Sequence, residues 1–275
     1  MGFPLARQYF LYETDRPDEQ INLAKAALYI AQEEYLSLDL EAYLNALDTM
    51  ADEVQQQLPS ERYPLRIIQT VNRYLYDDLG FTGNTTNYYD PCNSFLNDVI
   101  ERRTGIPITL SLVYLEVTKR LDFPMLGVGM PGHFLIRPQV QHMEIFVDPF
   151  NRGEILFAED CQEKFTQIYG QTAKLQSSFL HSVSNRQFLS RMLINLKFAY
   201  LQMKQLTKAL AAVERILLLY PALPVELRDR GLLCYQLGDW SAAIDNLQAY
   251  LEKSPNALDA SAVRRLLDQL ERISP

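Results

Sequence analysis

The segment from Pro107 to Leu121 most constrains the fold, because its apolar residues leave almost no polar face. These residues are Ile108, Leu110, Leu112, Val113, Leu115, Val117 and Leu121. A helix without a polar, solvent-exposed face is buried at the centre of a domain. Pro107 suits the first turn of such a helix, where no backbone N–H is needed. We therefore predict a central buried helix over this segment.

The residues before this helix are also predicted to be mostly helical, so that 1–121 forms a helical part. Asp18 opens a stripe of apolar residues at helical spacing, and Asp39 suits the N-cap of a second helix. Pro64 suits the first turn of a third helix, and Gly80 suits its end. The polar segment 81–92 is rich in glycine and asparagine, which predicts an irregular surface loop.

After Pro124 the pattern changes to short apolar stretches with turn residues between them. Strands are predicted at 125–130, 133–137, 143–147 and 154–157, and a helix follows at 160–169. Helices followed by an antiparallel sheet indicate an α+β domain, in which the sheet, spanning 125–157, packs on the central helix.

The C-terminal third repeats with a period of 34 residues. The pairs in phase are Ala209 and Ala243, Tyr200 and Cys234, Lys204 and Gly238, and Pro221 and Pro255. This period, with small residues and a terminal proline in phase, is typical of tetratricopeptide repeats. We predict two repeats, at about 187–221 and 222–255, and a capping helix at 257–273. The domains are then 1–180 and 185–275.

Three segments look like the corners of a catalytic site. They are Arg103-Thr104-Gly105-Ile106-Pro107, Pro131-Gly132-His133-Phe134-Leu135 and Phe146-Val147-Asp148-Pro149-Phe150. The kind of catalytic site that these segments suggest forms a covalent intermediate. It needs a nucleophile at a helix start, a histidine that takes its proton and an acid that orients the histidine. His133 and Asp148 supply the last two groups. Pro107 stands at the helix start, and it has no nucleophilic atom.

Four longer motifs extend these corners. They are Asn93-Ser94-Phe95-Leu96-Asn97-Asp98-Val99, Arg103-Thr104-Gly105-Ile106-Pro107-Ile108-Thr109-Leu110-Ser111-Leu112-Val113-Tyr114, Gly127-Val128-Gly129-Met130-Pro131-Gly132-His133-Phe134 and Asp148-Pro149-Phe150. Together they resemble the bacterial SirB-type family, a transglutaminase-like domain followed by tetratricopeptide repeats, over nearly the whole chain. The resemblance implies a papain-like α+β fold for the first domain.

The wider transglutaminase-like superfamily also implies a mechanism, which uses a Gly-x-Cys motif at the start of the central helix. In this chain Gly105-Ile106-Pro107 takes that place, and His133 and Asp148 take the places of the catalytic histidine and aspartate. Pro107 replaces the cysteine, which argues against amidase or transamidase activity. His133 and Asp148 are then either a remnant catalytic pair or a structural pair that joins two strands.

Two residues are alternative nucleophiles. Cys92 lies in the loop before the preceding helix, and Ser111 lies one turn into the central helix. Either would make the protein a cysteine-protease-like hydrolase or transamidase with His133 as base and Asp148 as orienting acid. Backbone N–H groups at the Pro107 helix start would stabilise an oxyanion. The preferred interpretation is a non-catalytic adaptor, which binds protein partners through the repeats and the cleft. A homodimer is the alternative partner.

Composition narrows the remaining function classes. The formal net charge of −8 argues against nucleic acids and anionic membranes as partners. The start, Met1-Gly2-Phe3-Pro4-Leu5-Ala6-Arg7, lacks the features of a secretory signal. The cysteines and histidines are sparse and unclustered, which predicts a cytoplasmic protein without a zinc site or other cofactor. They are Cys92, Cys161, Cys234, His133, His142 and His181.

Overall fold

A computed structural model of the chain describes residues 4–141 and 143–273. His142 and the first three residues, on which part of the composition argument rests, lie outside the described residues. The chain forms two compact units, Met1–Met192 and Leu193–Pro275. The α+β class predicted from the sequence is confirmed for the first unit, and the second unit is all helical.

Seven helices of the first unit come before the repeats. They are α1 (Leu5–Thr14), α2 (Leu23–Gln32), α3 (Leu40–Gln57), α4 (Pro64–Asn72), α5 (Leu96–Arg102), α6 (Pro107–Arg120) and α7 (Ala158–Tyr169). Asp39 caps α3 as predicted, because its carboxylate accepts hydrogen bonds from the backbone N–H groups of Glu41 and Ala42. A π-helical turn follows α4, and Gly80 ends it with φ of +76°.

The central helix predicted from the sequence is α6. Every residue from Pro107 to Thr118 is buried. Two polar side chains on this helix are satisfied locally, since the hydroxyls of Ser111 and Thr118 donate to carbonyls one turn earlier on the same helix. Buried hydroxyls therefore do not conflict with a central position.

The sheet has the predicted antiparallel order, with shorter strands than predicted. Its strands are β3 (Met125–Val128), β4 (Leu135–Pro138), β5 (Phe146–Asp148) and β6 (Glu154–Leu156), in the order β3-β4-β5-β6. A separate parallel pair, β1 (Thr82–Gly83) with β2 (Thr104–Gly105), lies partly in the segment predicted as an irregular loop. Strands of two residues are too short to give a period in the sequence.

Both faces of the sheet are covered. On one face, Val128, Leu135 and Phe146 form a buried cluster with Cys161 and Phe165 of α7. The other face contacts α6, because α6 packs against β3 and β4. Sheets covered on both faces lack an alternation of buried and exposed residues. This explains why Leu135 and Ile136, which are neighbours in β4, are both buried.

The helices of the repeats are α8 (Asn185–Gln202), α9 (Leu206–Leu219), α10 (Pro224–Leu237), α11 (Trp240–Lys253) and α12 (Ala260–Ile273). The first turns of α8 belong to the first unit. Asp18 accepts hydrogen bonds from the backbone N–H groups of Asn185 and Arg186, and Phe188 packs edge-on against Phe134. The boundary between the units therefore lies inside α8, further along the chain than the boundary predicted around 171–184.

Glycine at 231 permits close packing of two repeat helices. A Cβ atom there would lie 2.7 Å from the Cγ atom of Leu247. A larger side chain at this position would therefore force these two helices apart. No helix in the described part of the chain is long and apolar enough to cross a membrane.

Candidate functional site

The structure brings His133 and Asp148 together, as the sequence motifs suggested. Nε2 of His133 lies 2.9 Å from Oδ2 of Asp148. The carboxylate is fully buried, whereas 12% of the histidine side chain is exposed. The other ring nitrogen, Nδ1, makes no hydrogen bond to the residues that the structure describes. His133 is therefore anchored through one nitrogen and has the other available.

Asp148 has several further partners. Its Oδ1 atom accepts hydrogen bonds from the backbone N–H groups of Phe150 and Asn151, at 3.1 and 3.3 Å. Its Oδ2 atom accepts a third from Nδ2 of Asn151, at 2.7 Å, and lies 3.3 Å from Nζ of Lys164. These contacts close the turn after β5 and connect it to α7.

These partners determine the charge state of Asp148. Burial by itself would raise the pKa of this carboxyl. The hydrogen bond and charge of His133, the hydrogen bond from Asn151 and the charge of Lys164 outweigh burial and hold the pKa of Asp148 below its usual value. The carboxylate is therefore ionised at neutral pH and is a net source of stability there.

The pair lies on the face of the sheet that packs against α7. Asp148 follows Phe146 by two residues, and His133 precedes Leu135 by two, so each shares a face with its neighbour. Phe146 and Leu135 belong to the cluster with α7. Lys164, which contacts Asp148, also lies on α7. The pair is thus integrated into the packing of the sheet on α7.

A row of aromatic rings leads from His133 to the loop after β1. The ring centroid of Phe150 lies 6.0 Å from that of His133 and 6.4 Å from that of Tyr88. The ring centroids of Tyr88 and Tyr89 are 5.4 Å apart. Gly83 permits this arrangement, because a Cβ atom there would lie 2.6 Å from the Phe150 ring. The contact to Phe150 thus connects His133 to Tyr88, and through Tyr88 to Tyr89.

The start of α6 offers no nucleophile. Pro107 is its first residue. The Thr109 hydroxyl accepts a hydrogen bond from the Ile106 backbone N–H at 3.1 Å and lies 2.7 Å from the carbonyl of Asn93, to which it donates. Asn93 is fully buried, and its side-chain amide holds the loop that carries Tyr88. The helix start is therefore occupied by groups that hold the loop in place.

The alternative nucleophiles make no hydrogen bond to His133. Oγ of Ser111 donates to the carbonyl of Pro107 at 2.7 Å and is buried. Sγ of Cys92 lies 3.9 Å from the Tyr35 hydroxyl, which donates to Asp98. Burial, together with the charges of Asp98 and Asp90, raises the pKa of the Cys92 thiol. Neither side chain is placed or activated for attack with His133 as base.

Sequence reasoning missed Lys164 and Asn151 as parts of the site, and it gave Phe150 no role within its motif. For Asn151 a signal was present, because an aspartate followed by proline is a common N-cap pattern, and Asp148 caps the turn that contains Asn151. For Lys164 nothing in the sequence singled out this lysine among the charges of α7. Its role depends on how α7 packs on the sheet.

A charged network joins the helices of the repeat unit. Nζ of Lys197 on α8 lies 2.7 Å from Glu226 and 2.8 Å from Asp229, both on α10. Arg228 then connects Asp229 to Asp259, just before α12, at 2.8 Å in each case. Burial raises the pKa of Glu226, and the hydrogen bond and charge of Lys197 oppose that effect. Lys197 lies one 34-residue period before Gly231, and its ion pairs explain why the first repeat has lysine at this position.

Comparison with known families identifies both units. Residues 41–194 match the model of the transglutaminase-like superfamily, and residues 196–268 match a tetratricopeptide repeat family. A UPF0162 protein of Xylella fastidiosa is 40% identical over 266 residues, which cover 93% of each chain. The chain belongs to the transglutaminase-like superfamily, among the UPF0162 proteins. The architecture predicted from the sequence is confirmed.

Other relatives extend the comparison. A UPF0162 protein of Vibrio cholerae is 30% identical over 261 residues, which cover 94% of this chain and 96% of its own length. F-box only protein 21 of Mus musculus is 35% identical over 140 residues, or 48% of this chain and 21% of that protein. No solved structure matches the chain significantly.

Proposed function

We propose that this UPF0162 protein is a non-catalytic adaptor, in which a transglutaminase-like unit without a nucleophile serves as a scaffold beside protein-binding repeats. One observation carries the proposal. Pro107 stands at the helix start where the superfamily places its cysteine, and the hydroxyls of Thr109 and Ser111 are bound to backbone carbonyls. The protein is then a pseudoenzyme.

The surroundings of Asp148 support a structural role for the pair. A carboxylate that only orients a catalytic histidine needs one contact to that histidine. Asp148 instead has partners on its own turn and on α7 as well as His133. The pair then survives the loss of the nucleophile because it holds the sheet, the turn and α7 together.

The repeats supply the surface for a protein partner. Tetratricopeptide repeats stack into extended binding surfaces. Arg228, Asp229 and Asp259 are partly exposed members of the charged network, and they offer both signs of charge to a partner. A second copy of the chain is the alternative partner. The three free cysteines suit a reducing cytoplasm, in which we place the protein.

A hydrolase or transamidase is the second candidate function. The observation that favours it is the retained hydrogen bond between His133 and Asp148, with Nδ1 of His133 unbonded among the described residues. It requires a nucleophile that reaches Nδ1 after a rearrangement of Cys92 or Ser111. If Cys92 is the nucleophile, His133 would activate its thiol. The hydrolase therefore predicts a fast-reacting cysteine, whereas the adaptor predicts none.

Thiol reactivity tests the proposal. Burial raises the pKa of all three cysteine thiols, and that of Cys161 reaches about 12. We expect iodoacetamide at neutral pH to modify each cysteine of the folded protein more slowly than it modifies free cysteine, with Cys92 the fastest because it is the least buried. Peptide mass spectrometry over a time course measures the three rates.

Substitution of His133 supplies the result that would contradict the proposal. A cysteine that reacts faster than free cysteine, and loses that rate in His133→Asn, would overturn the proposal in favour of the hydrolase. As a positive control, Pro107→Cys places a thiol at the positive end of the α6 dipole, which lowers a thiol pKa. Since position 107 is buried, this new thiol is expected to react faster than the equally buried Cys161 and Cys234, whose thiol pKa values are raised.

A further inference from the structure

The outer edge of β3 is only partly paired. β3 is the first strand in the order β3-β4-β5-β6, so one of its edges faces away from the sheet. Ser182 bridges to Val128 on this edge, and the backbone N–H of Val183 donates to the carbonyl of Gly127 at 2.9 Å. The chain then turns into α8 at Asn185. The edge before Gly127 therefore has no strand partner among the described residues.

Two observations establish which backbone groups face this open edge. Met125 is paired with Pro138 of β4, and a proline has no N–H to donate. Gly127, two residues further on, already uses its carbonyl on the outer side, toward Val183. Since alternate residues of a strand direct their backbone groups the same way, the N–H and C=O of Met125 and the N–H of Gly127 point outward.

A cavity lies beside these groups. It measures about 380 Å³, and Met125, Leu126 and Gly127 form one wall. Ile21, Leu115 and Phe188 line it as well, each of them an apolar side chain from a different helix or turn. The cavity has room for one or two apolar side chains, and it lies next to backbone N–H and C=O groups that can form hydrogen bonds.

The charged residues around the cavity give no preference for an ion. Asp18 caps α8, and Glu116 is paired with Arg120. Glu19 and Lys119 also line the cavity, and their charges are opposite. The ligand is therefore selected by main-chain hydrogen bonds and apolar contact.

We propose that this open edge binds an extended segment of a partner protein, which adds a strand to the sheet beside β3 and places an apolar side chain in the cavity. Only an extended backbone offers acceptors and donors at the spacing of Met125 and Gly127. The short bridge at Ser182 is a precedent on the same edge, since there the chain's own backbone pairs in this way. All the residues that line this surface belong to the first unit, so its test does not depend on partner binding by the second unit.

Amide nuclear magnetic resonance tests the proposal with a defined probe. The probe is a short synthetic peptide of alternating valine and threonine, blocked at both ends, and the matched control is the same peptide with N-methylated valines. N-methylation removes main-chain donors and keeps the side chains. In the free protein we expect the amides of Met125 and Gly127 to exchange with solvent at least about tenfold faster than those of Leu126 and Val128.

With the probe we expect saturable shifts of the Met125 and Gly127 amide signals and slower exchange at both. The N-methylated copy should lose these effects. Equal exchange along β3 in the free protein would overturn the proposal, because the edge would then be paired. It would also be overturned by shifts elsewhere only, by equal shifts with the N-methylated copy, or by no shift at millimolar peptide.

Discussion

Asp148→Ala is expected to destabilise the first unit by about 3–5 kcal/mol, the usual cost of breaking a buried charged pair by removing one partner. The substitution leaves the side chains of His133, Asn151 and Lys164 without their shared acceptor. It also removes the cap of the turn after β5. Urea unfolding followed by far-ultraviolet circular dichroism measures the loss.

Glu154→Ala is the matched control for Asp148→Ala. Glu154 is the other carboxylate on Lys164, at 2.9 Å, but half of its side chain is exposed. Because exposed ion pairs contribute little, its removal should cost less than about 1 kcal/mol. Equal losses in the two variants would contradict the role given to Asp148 as the buried anchor of the turn.

The stabilisation by Asp148 also predicts a pH dependence. Since its pKa is lower in the folded protein than in the unfolded chain, the carboxylate stabilises the fold fully above its ordinary pKa of about 3.9. That stabilisation is lost as the pH falls through the lower pKa of the folded state. The stability difference between the wild-type protein and Asp148→Asn should therefore be largest near neutral pH and should shrink below about pH 4.

Gly153→Ala is expected to cost about 3–6 kcal/mol, from a left-handed backbone, a clash and lost hydrogen bonds. Gly153 has φ of +72°, and a Cβ atom there would lie 2.0 Å from Oδ1 of Asn72. The Asn72 side chain can move away only by breaking two hydrogen bonds. It donates to the Gly153 carbonyl at 2.7 Å and accepts from the Tyr114 hydroxyl at 2.9 Å.

Gly80→Ala separates the cost of the left-handed backbone from the costs of the clash and the lost hydrogen bonds. Gly80 has a similar φ of +76°, but a Cβ atom there would meet nothing within 4 Å. Its substitution should cost only the left-handed backbone term, about 1–2 kcal/mol. If Gly80→Ala and Gly153→Ala lower the free energy of unfolding equally, the contact between Gly153 and Asn72 is not the reason that glycine is needed.

The sequence predicted those parts of the fold that depend on local pattern. The burial of α6 followed from its apolar residues, and Asp39 marked the start of α3. Helix α1 was not singled out, because Leu5, Tyr9 and Tyr12 on its exposed side obscure the helical period of its buried side. An apolar stripe predicts a helix only when the opposite face is polar.

The candidate site was predicted where a motif named its residues. His133 and Asp148 came from such motifs, and the structure places them in contact. Lys164 and Phe150 join them only through the packing of α7 and the turn after β5, which no local pattern encodes. The surroundings of Cys92 and Ser111 also depend on tertiary structure, since the fold supplies the hydrogen-bond partner of each side chain.

The proposal that the protein is non-catalytic is tested most directly by ammonia release from glutamine-containing peptides, with and without an added primary amine. Hydrolysis or amine exchange at a glutamine side chain releases one ammonia for each carboxylate or new amide formed. We expect the wild-type protein and His133→Asn to release no ammonia above the buffer, because Pro107 offers no atom for attack. Ammonia release by the wild-type protein that is lost in His133→Asn would contradict this account.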